Sequence, residues 1–493
     1  MEGKSAHCGS TPARPLLIGN WADPTILRDG DDYYMTNSGF EYRPGPLVWH
    51  SRDLLNWEPI CHAVVHQEGS IWAPDIAKHG ELYYIYYPAG GQNWVVTAES
   101  PAGPWSEPRP TGSQLIDPGH IADQEGNRYL HVAGGHMREL SADGLDCVSE
   151  RRKVYDGWPI PQDWAIECYC LESPKLMRRD GWYYLTGAQG GTFGPSTSHM
   201  MVSARSRSPV GPWENSPHNP IIRTWHRDEP WWSKGHGTVF EGPAGQWYCV
   251  LHGIMNGHRS LGRCALIEPI EWTEDGWFRA ADEWPDGWEG PARPHMELSD
   301  DFGADGLGLQ WQFHRRYDGD RFDVGEGELL LQAEGDDAGH CHPLTCEPLH
   351  RAYLIETEVE IQGGATAGLM LFSSPDRYLG LGIGPDGVLR RVQEGCRRYG
   401  WMEEPEVGTT RLQLRIVNER QDVRFYYRDD QGPWRIMQPG MEISAWGSAR
   451  AALFAYGDGR ASFRRFDYRP LESYEKMTEW LDEMWRLSQK FKA

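Results

Sequence analysis

Short runs of aromatic and β-branched residues alternate with clusters of Gly, Asp, Asn and Pro along most of the chain. Segments such as DDYYMTNS, ELYYIYYPAG, GWYYLTGAQGG and QWYCVLHG show this texture, which is typical of β-strands joined by turns. Apolar residues recur at helical three- and four-residue steps only near the end of the chain. These positions are Leu471, Tyr474, Met477, Leu481, Met484 and Leu487. The pattern therefore predicts an all-β protein with one amphipathic helix over 471–493.

Five segments repeat one order of features, in which a polar residue beside Pro or Gly precedes a turn and then an aromatic strand. The polar heads are Asp23, Asp75, Asp117, Glu172 and His236. Their spacing of roughly 40 to 65 residues is typical of four-stranded propeller blades. The inner strands of a propeller line one channel, so we expect the heads to converge there. The repeats predict a five-bladed β-propeller over 17–296.

The texture changes near residue 298. Alternating strands such as YLIETEVEI, AGLMLFSS and ARAALFAYG follow, separated by turn residues, and they lack the order of features seen in the repeats. This region predicts a β-sandwich over 299–470.

Composition narrows the functional class. With 48 basic and 71 acidic residues the net charge is −23, which would repel nucleic acid on average. The 24 tryptophans hint at carbohydrate, since indole rings offer flat apolar surfaces to sugars. The chain lacks an apolar run of about 18 residues, and its first 20 residues lack the apolar core of a secretory signal. We expect a cytoplasmic protein that binds neither nucleic acid nor a membrane.

The ten cysteines are scattered, and they form neither a disulfide framework nor a zinc-binding spacing. Reduced thiols are the simplest interpretation.

Position at a blade head distinguishes Asp23, Asp117 and Glu172 from the other carboxylates. Glycoside hydrolysis needs one carboxylic acid to protonate the leaving oxygen and one carboxylate to activate water or attack directly. A third carboxylate can orient the acid and raise its pKa. The structural alternative for each is capping a turn or bridging blades. Asp75 follows its proline instead of preceding it, so a substrate-binding and a structural role both stay open.

Four further residues are candidates for the channel mouth. His236, between two glycines, could hold a metal or water, or be satisfied by nearby backbone. Trp72 and Phe40 could stack on a sugar face or pack in the core. Arg263 could donate paired hydrogen bonds to sugar hydroxyls or be structural.

These ordered motifs resemble glycoside hydrolase family 43, within its β-xylosidase and α-L-arabinofuranosidase branch. The motifs are NWADP at 20–24, NSGF at 37–40, SRDLLNW at 51–57, WAPD at 72–75, IDPG at 116–119, LESPKL at 171–176, GGT at 190–192, GHG at 235–237, LGR at 261–263 and EPIEW at 268–272. The region after residue 299 resembles the concanavalin-A-like sandwich that follows the propeller in many β-xylosidases. DDF at 300–302, LQWQF at 309–313 and AGLMLF at 367–372 carry that likeness.

The resemblance implies inversion of configuration, with Asp23 as general base, Glu172 as general acid and Asp117 tuning the acid's pKa and orientation. The base and acid carboxyls of an inverting enzyme should lie about 6.5–9.5 Å apart. Glu167 is a rival acid, although the Pro-Lys-Leu after position 173 favours Glu172. His236 matches a channel histidine found near calcium or water, so a structural Ca²⁺ is a candidate. The chemistry requires no cofactor.

Two positions depart from the family pattern. Ser173 stands where the family usually has Gly, and Cys264 follows Arg263 where an acidic residue is usual. Arg263 and Phe40 match substrate-pocket positions, but these departures put pocket details in doubt.

Three functions are compared. The first is an exo-acting β-xylosidase on xylo-oligosaccharides, and the second is an α-L-arabinofuranosidase or another family activity on arabinose-branched glycans. The third is a non-catalytic carbohydrate-binding propeller, which the presence of all three carboxylates disfavours. The expected partner is an oligosaccharide, and a homo-oligomer is left open.

Overall fold

The computed structural model describes residues 12–288, 290–396, 403–430 and 432–490. The expectation about a secretory signal falls largely on residues 1–11, which lie outside the described residues, as do 491–493 of the predicted helical segment.

Five sheets form the blades of a propeller, which confirms the predicted fold class; their strands pair antiparallel except for Arg293–Pro294, which runs parallel to its neighbour. Blade 1 consists of Thr25–Asp29, Asp32–Thr36, Gly45–Ser51, Asn56–Val64 and Arg293–Pro294. Blade 2 consists of Asp75–His79, Leu82–Ala89, Gln92–Ala98 and Arg109–Pro110. Blade 3 consists of Gly119–Ala122, Arg128–Val132, His136–Leu140 and Arg152–Lys153. Blade 4 consists of Cys168–Arg179, Trp182–Gly190, Met200–Ser206, Glu214–Asn215 and Ile222–Arg223.

Blade 5 joins both ends of the propeller. It consists of Trp231–Glu241, Trp247–Met255, Cys264–Trp272, Phe278–Ala280 and the early strand Arg14–Leu17. Arg14–Leu17 pairs antiparallel with Cys264–Trp272, so the first strand of the chain completes the last blade. This pairing closes the ring of blades and leaves the heads of the inner strands around one channel.

The sandwich is built around two long strands, Ala352–Ser374 and Arg450–Pro470, which pair with each other along their length. The first half of Ala352–Ser374 also pairs with Arg411–Glu419, and its second half pairs with Arg377–Ile383. The two halves of Ala352–Ser374 therefore pair with different neighbouring strands within the sandwich. The remaining strands are Trp311–His314, Phe322–Gly325, Glu328–Gln332, Leu344–Cys346, Leu389–Glu394, Asp422–Arg428 and Arg435–Glu442.

The two domains share a continuous apolar core. Propeller residues Leu16, Trp21 and Trp49 belong to the same buried cluster as the sandwich residues Trp311 and Leu453. A short propeller strand, Tyr42–Arg43, also adds to the sandwich sheet by pairing with Trp311–His314. The sandwich is thus fixed against the channel mouth of the propeller.

The helix spans Tyr474–Gln489 and is capped by Ser473, whose hydroxyl accepts a hydrogen bond from the Lys476 backbone N–H. Met477 and Leu481 are buried in the cluster that contains the core of blade 5, and Trp485 is also buried. Two of the predicted apolar positions do not belong to this buried face. Leu471 precedes the helix, and Leu487 lies within it but is exposed. The helix belongs to no blade, and it packs on the propeller. None of the helices in the described ranges is long and apolar enough to cross a membrane.

Cys168 and Cys170 form a disulfide, whereas the sequence favoured reduced thiols. Alternate residues of a regular strand lie on one face but too far apart for this bond. The strand Cys168–Arg179 is irregular between Cys168 and Leu171, and the two Cα atoms lie 5.3 Å apart. The seven other cysteines among the described residues are not disulfide-bonded.

Candidate active site

The backbone has an unusual conformation at three of the heads and at the residue that follows a fourth head, Glu172. Asp23 (φ 56°), Asp117 (φ 59°), Ser173 (φ 51°) and His236 (φ 55°) all lie in the left-handed region. This conformation is uncommon for residues other than glycine, and it concentrates at functional sites. This backbone accounts for the glycine that is usual at position 173, because glycine adopts such a φ without steric cost, whereas Ser173 adopts it with a side chain.

Asp23 is 5% exposed and is held from several sides. Arg263 donates from Nη1 to Oδ1 over 2.7 Å, and the Ser38 hydroxyl donates to Oδ2 over 2.5 Å. The Asp23 backbone N–H donates to Nδ1 of His252 over 3.1 Å. Burial alone would raise the pKa of Asp23, but the charges of Arg263 and His236 outweigh it and hold the pKa well below the ordinary value. Asp23 is therefore ionised at neutral pH.

The His236 ring lies between Asp23 on one side and Asp117 and Glu172 on the other. Its Nδ1 lies 3.4 Å from Asp23 Oδ1, while its Nε2 lies 3.6 Å from Asp117 Oδ2 and 3.7 Å from Glu172 Oε2. Asp23 thus faces one ring nitrogen, and the Asp117–Glu172 pair faces the other. Burial lowers the pKa of His236, but the surrounding carboxylates, Asp23 foremost, reverse this and raise it above 6.5.

Asp117 is perturbed toward the neutral form. It is 2% exposed, and its Oδ2 accepts the Ser173 backbone N–H over 3.0 Å. Burial, reinforced by repulsion from Glu172 and Asp23, raises its pKa to about 6 despite attraction to His236. Glu172 is the more accessible of the pair, with 27% of its side chain exposed. This exposure leaves Glu172 free to reach a ligand.

Asp75 has a structural position beneath the channel. Its Oδ1 accepts from Lys175 Nζ over 3.0 Å and from the Thr25 hydroxyl over 3.3 Å, and its Oδ2 accepts the His120 backbone N–H. Lys175 Nζ also donates to the carbonyls of Pro74 and Pro118. Asp75 and Lys175 therefore tie four blades together, which favours the structural alternative for Asp75.

Glu167, the rival acid, has its carboxylate engaged elsewhere. Its Oε2 accepts the backbone N–H groups of Phe193 and Gly194 over 2.6 and 2.7 Å. Two such bonds anchor a loop and leave this oxygen occupied. Glu172, by contrast, faces His236 beside Asp117.

Phe40 and Arg263 line a cavity of about 360 Å³ beside Asp23. The Arg263 Cζ lies 5.6 Å from the Phe40 ring centre and 5.7 Å from that of Phe193. Residues 445–448 of the sandwich form another wall of this cavity. Trp72, 44% exposed, lies apart in a second cavity of about 310 Å³ next to Ile116.

Sequence reasoning missed three residues of the site. Ser38 lies in a motif that was identified, but its bond to Asp23 depends on the fold. His252 is fully buried, and this burial is the main reason that its pKa is lowered to about 3. His252 therefore remains neutral. Its position in an ordinary aromatic strand gave no signal. Phe193 follows the GGT motif. The glycines of this motif indicate a turn, but they do not indicate that the next side chain lines the pocket.

Among the residues that the structure describes, two groups of side chains could contribute to a metal site. Asp23, His236 and His252 form one, and Asp117, Glu172 and His236 form the other, each with ligand atoms within 4.8 Å. Calcium prefers six to eight oxygen ligands. Each group offers few oxygens, and Asp23 is already bound to Arg263 and Ser38. The residues therefore fit a hydrated cation near His236 better than a fully protein-ligated calcium ion.

Comparison with known families matches both domains. The model for glycosyl hydrolases family 43 matches residues 12–278, more than half of the chain. The model for the beta xylosidase C-terminal concanavalin A-like domain matches residues 299–469.

Individual relatives are similar in both sequence and structure. A non-reducing end alpha-L-arabinofuranosidase of Bacteroides ovatus is 32% identical over 61% of this chain and 60% of its own length. A xylan 1,3-beta-xylosidase of a Vibrio species is 31% identical over 56% and 58%. The chain thus matches about three fifths of these relatives. The crystal structure of a xylan beta-1,4-xylosidase from Bacillus halodurans matches 93% of this chain and all of its own, with a TM-score of 0.82 and 25% identity.

Proposed function

The chain belongs to glycosyl hydrolases family 43, and from this membership and the site geometry we propose that it is an inverting exo-β-xylosidase. Its substrates would be xylo-oligosaccharides, from which it would remove the terminal β-D-xylose. The observation that carries the proposal is the cluster of three carboxylates around the buried His236: Asp23, which is bound to Arg263, and Asp117 are buried, and Glu172 is partly exposed.

Asp23 would act as the general base. Its low pKa keeps it ionised at neutral pH, as activation of a water requires. Ser38 and Arg263 fix both oxygens of its carboxylate. The proton taken from water would be stabilised there by the carboxylate, while the water oxygen attacks the anomeric carbon from the face opposite the leaving group.

Glu172 would act as the general acid that protonates the leaving oxygen. Its partial exposure supports contact with the bond between the terminal sugar and the next one. Asp117 would orient this region, since it binds the backbone of Ser173 directly after Glu172. The His236 ring lies between Asp23 and Glu172, and this separation supports inversion, which needs room for a water between base and acid. The separation of about 6.5–9.5 Å stays a prediction.

The wall formed by residues 445–448 supports exo action, because a cavity closed by the sandwich admits the end of a chain better than its middle. An α-L-arabinofuranosidase is the second candidate, since one relative is an arabinofuranosidase and the others named above are xylosidases. The two sugars present similar hydroxyl patterns to the same carboxylates. A hydrated cation bound near His236 would supply positive charge, and the residues named above would carry the chemistry.

The test is turnover of an aryl β-D-xylopyranoside and an aryl α-L-arabinofuranoside under the same conditions, with the first-formed sugar anomer followed by proton NMR. Faster release from the xyloside, with α-xylose as the initial product, is the expected result. Faster release from the arabinofuranoside would favour the second candidate. A retained anomer would contradict the assignment of Asp23 as a base, and no turnover of either would refute both substrates.

A further inference from the structure

An exposed aromatic side chain, Phe193, stands at the mouth of the pocket on the same blade as Glu172. Phe193 is 71% exposed and lies three residues after the end of Trp182–Gly190, the strand that pairs with the strand of Glu172. A single exposed apolar residue is ordinary on a protein surface. Phe193 differs from such a residue because its backbone is bound by a carboxylate.

The backbone of Phe193 is fixed by a carboxylate. Glu167 Oε2 accepts the N–H groups of Phe193 and Gly194, and the Glu167 backbone N–H donates to the Ser198 hydroxyl over 2.7 Å. Hydrogen bonds to a charged acceptor are stronger than neutral ones. The turn is thus preorganised, so a ligand that contacts the Phe193 ring would lose little binding energy to ordering the loop.

The surroundings of the ring suit a sugar. Phe193 and Phe40 flank the Arg263 guanidinium in the cavity of about 360 Å³, which opens beside Asp23. An aromatic face can cover the apolar C–H face of a pyranose, while guanidinium N–H groups donate to hydroxyls. The lining of this cavity combines aromatic rings with polar donors such as Asn20 and Arg263, and the charge of Arg263 is already paired with Asp23.

We propose that Phe193, held by Glu167, is a specificity-determining residue that stacks on the sugar ring adjacent to the one removed. The inference rests on the proposed function, because it needs Glu172 as the acid. The acid protonates the leaving group, so the leaving sugar lies on the side of blade 4, where Phe193 is. Asp23 and Asp117 are buried and would lie nearest the terminal sugar, whereas the exposed ring of Phe193 lies farther out.

The experiment compares a substrate that has only the terminal sugar with one that has the next ring as well. These are β-D-xylosyl fluoride and xylobiose, or the matching arabinose pair if the wild type prefers it. Phe193→Ala should raise KM for the disaccharide about 3- to 10-fold and leave kcat within about twofold, while KM for the fluoride stays unchanged. Phe193→Tyr should restore the disaccharide KM.

Tyr169→Ala is the matched control, since Tyr169 is also an exposed aromatic on blade 4 (74%) but lines neither cavity beside the carboxylates. It should change neither KM. Glu167→Gln should raise the disaccharide KM less than Phe193→Ala does, because an amide oxygen still accepts the two N–H groups but without the charge. Its effect must be absent in a Phe193→Ala background if Glu167 acts through this ring.

Equal increases in KM for both substrates would overturn the proposal, because Phe193 would then contact the terminal sugar. An unchanged disaccharide KM would overturn it as well. If the wild type turns over none of these substrates, the proposed function itself fails, and this inference falls with it. Circular dichroism and melting temperature would verify that each variant is folded.

Discussion

Replacing Asp117 with Asn should make the protein more stable at neutral pH, although it should impair catalysis. The pKa of Asp117 is raised from 3.8 to about 6, so its ionised form is disfavoured in the folded protein. Below pH 4 the carboxyl is protonated in both the folded and the unfolded state, and the folded state bears no penalty. Between pH 4 and 6 the unfolded state loses the proton first, and stability falls as pH rises. Asn is neutral throughout and avoids this loss.

The magnitude follows from the shift. A shift of about two pKa units corresponds to a penalty of about 3 kcal/mol in folding free energy, at 1.36 kcal/mol per unit. Because the titration of Asp117 is coupled to His236 and Glu172, we expect a gain of about 1–3 kcal/mol for the Asn variant. A propeller of about 280 residues has an unfolding entropy near 0.6 kcal/mol per kelvin. The melting temperature of Asp117→Asn should therefore exceed that of the wild type by about 2–5 °C at pH 7. The difference should vanish near pH 4.

Thermal melting from pH 4 to 7.5, followed by fluorescence, would measure this difference. Asp23→Asn is the matched control with the opposite sign, because the pKa of Asp23 is held well below its ordinary value. Its ionised form is favoured in the folded protein, so Asp23→Asn should lower stability at pH 7. That loss should stay nearly constant down to about pH 5 and shrink below it, as pH falls from the ordinary pKa of Asp toward the depressed one. A difference for Asp117→Asn that is constant with pH, or a lower melting temperature at pH 7, would refute the reasoning.

Three other changes test separate features of the site. Glu172→Gln should slow hydrolysis on the order of 10²–10⁴-fold for a poor leaving group and much less for a dinitrophenyl glycoside; equal losses would exclude a general acid role. Lys175→Met should leave Asp75 buried without its partner and cost about 3–5 kcal/mol in urea denaturation, whereas a mere surface pair would cost under 1 kcal/mol. Ser173→Gly should raise stability by up to about 1 kcal/mol, since relief of the left-handed backbone exceeds the entropy that glycine adds to the unfolded chain; a loss of stability would show that the serine is selected for packing.

The carboxylates could be predicted because their signal is repeated. Each stands at the same point of a blade, and a propeller brings those points together whatever the loops do. Asp23, Asp117 and Glu172 therefore converge around His236 as the repeats indicated. The same logic could not separate a catalytic head from a structural one. Only the contact with Lys175 shows that Asp75 serves to tie the blades together.

Residues that act through backbone or loop geometry could not be predicted. The role of Glu167 depends on two backbone N–H groups of a turn that lies 26 residues later. The buried face of the helix depends on the groove that receives it, which takes Trp485 and leaves Leu487 exposed. The disulfide depends on an irregularity in one strand. None of these features has a periodicity of its own.

The left-handed backbone at the heads connects the repeat to the chemistry. A regular strand would alternate its side chains between the two faces of a blade and direct few of them into the channel. A single residue with positive φ turns the chain just before Thr25–Asp29 and Gly119–Ala122, and register shifts accompany such residues inside the inner strands of blades 4 and 5. This conformation costs about 1–2 kcal/mol for each residue that is not glycine. Its recurrence at three heads, Asp23, Asp117 and His236, and at Ser173 beside the head Glu172 indicates that the fold preserves the orientation of these side chains toward the channel.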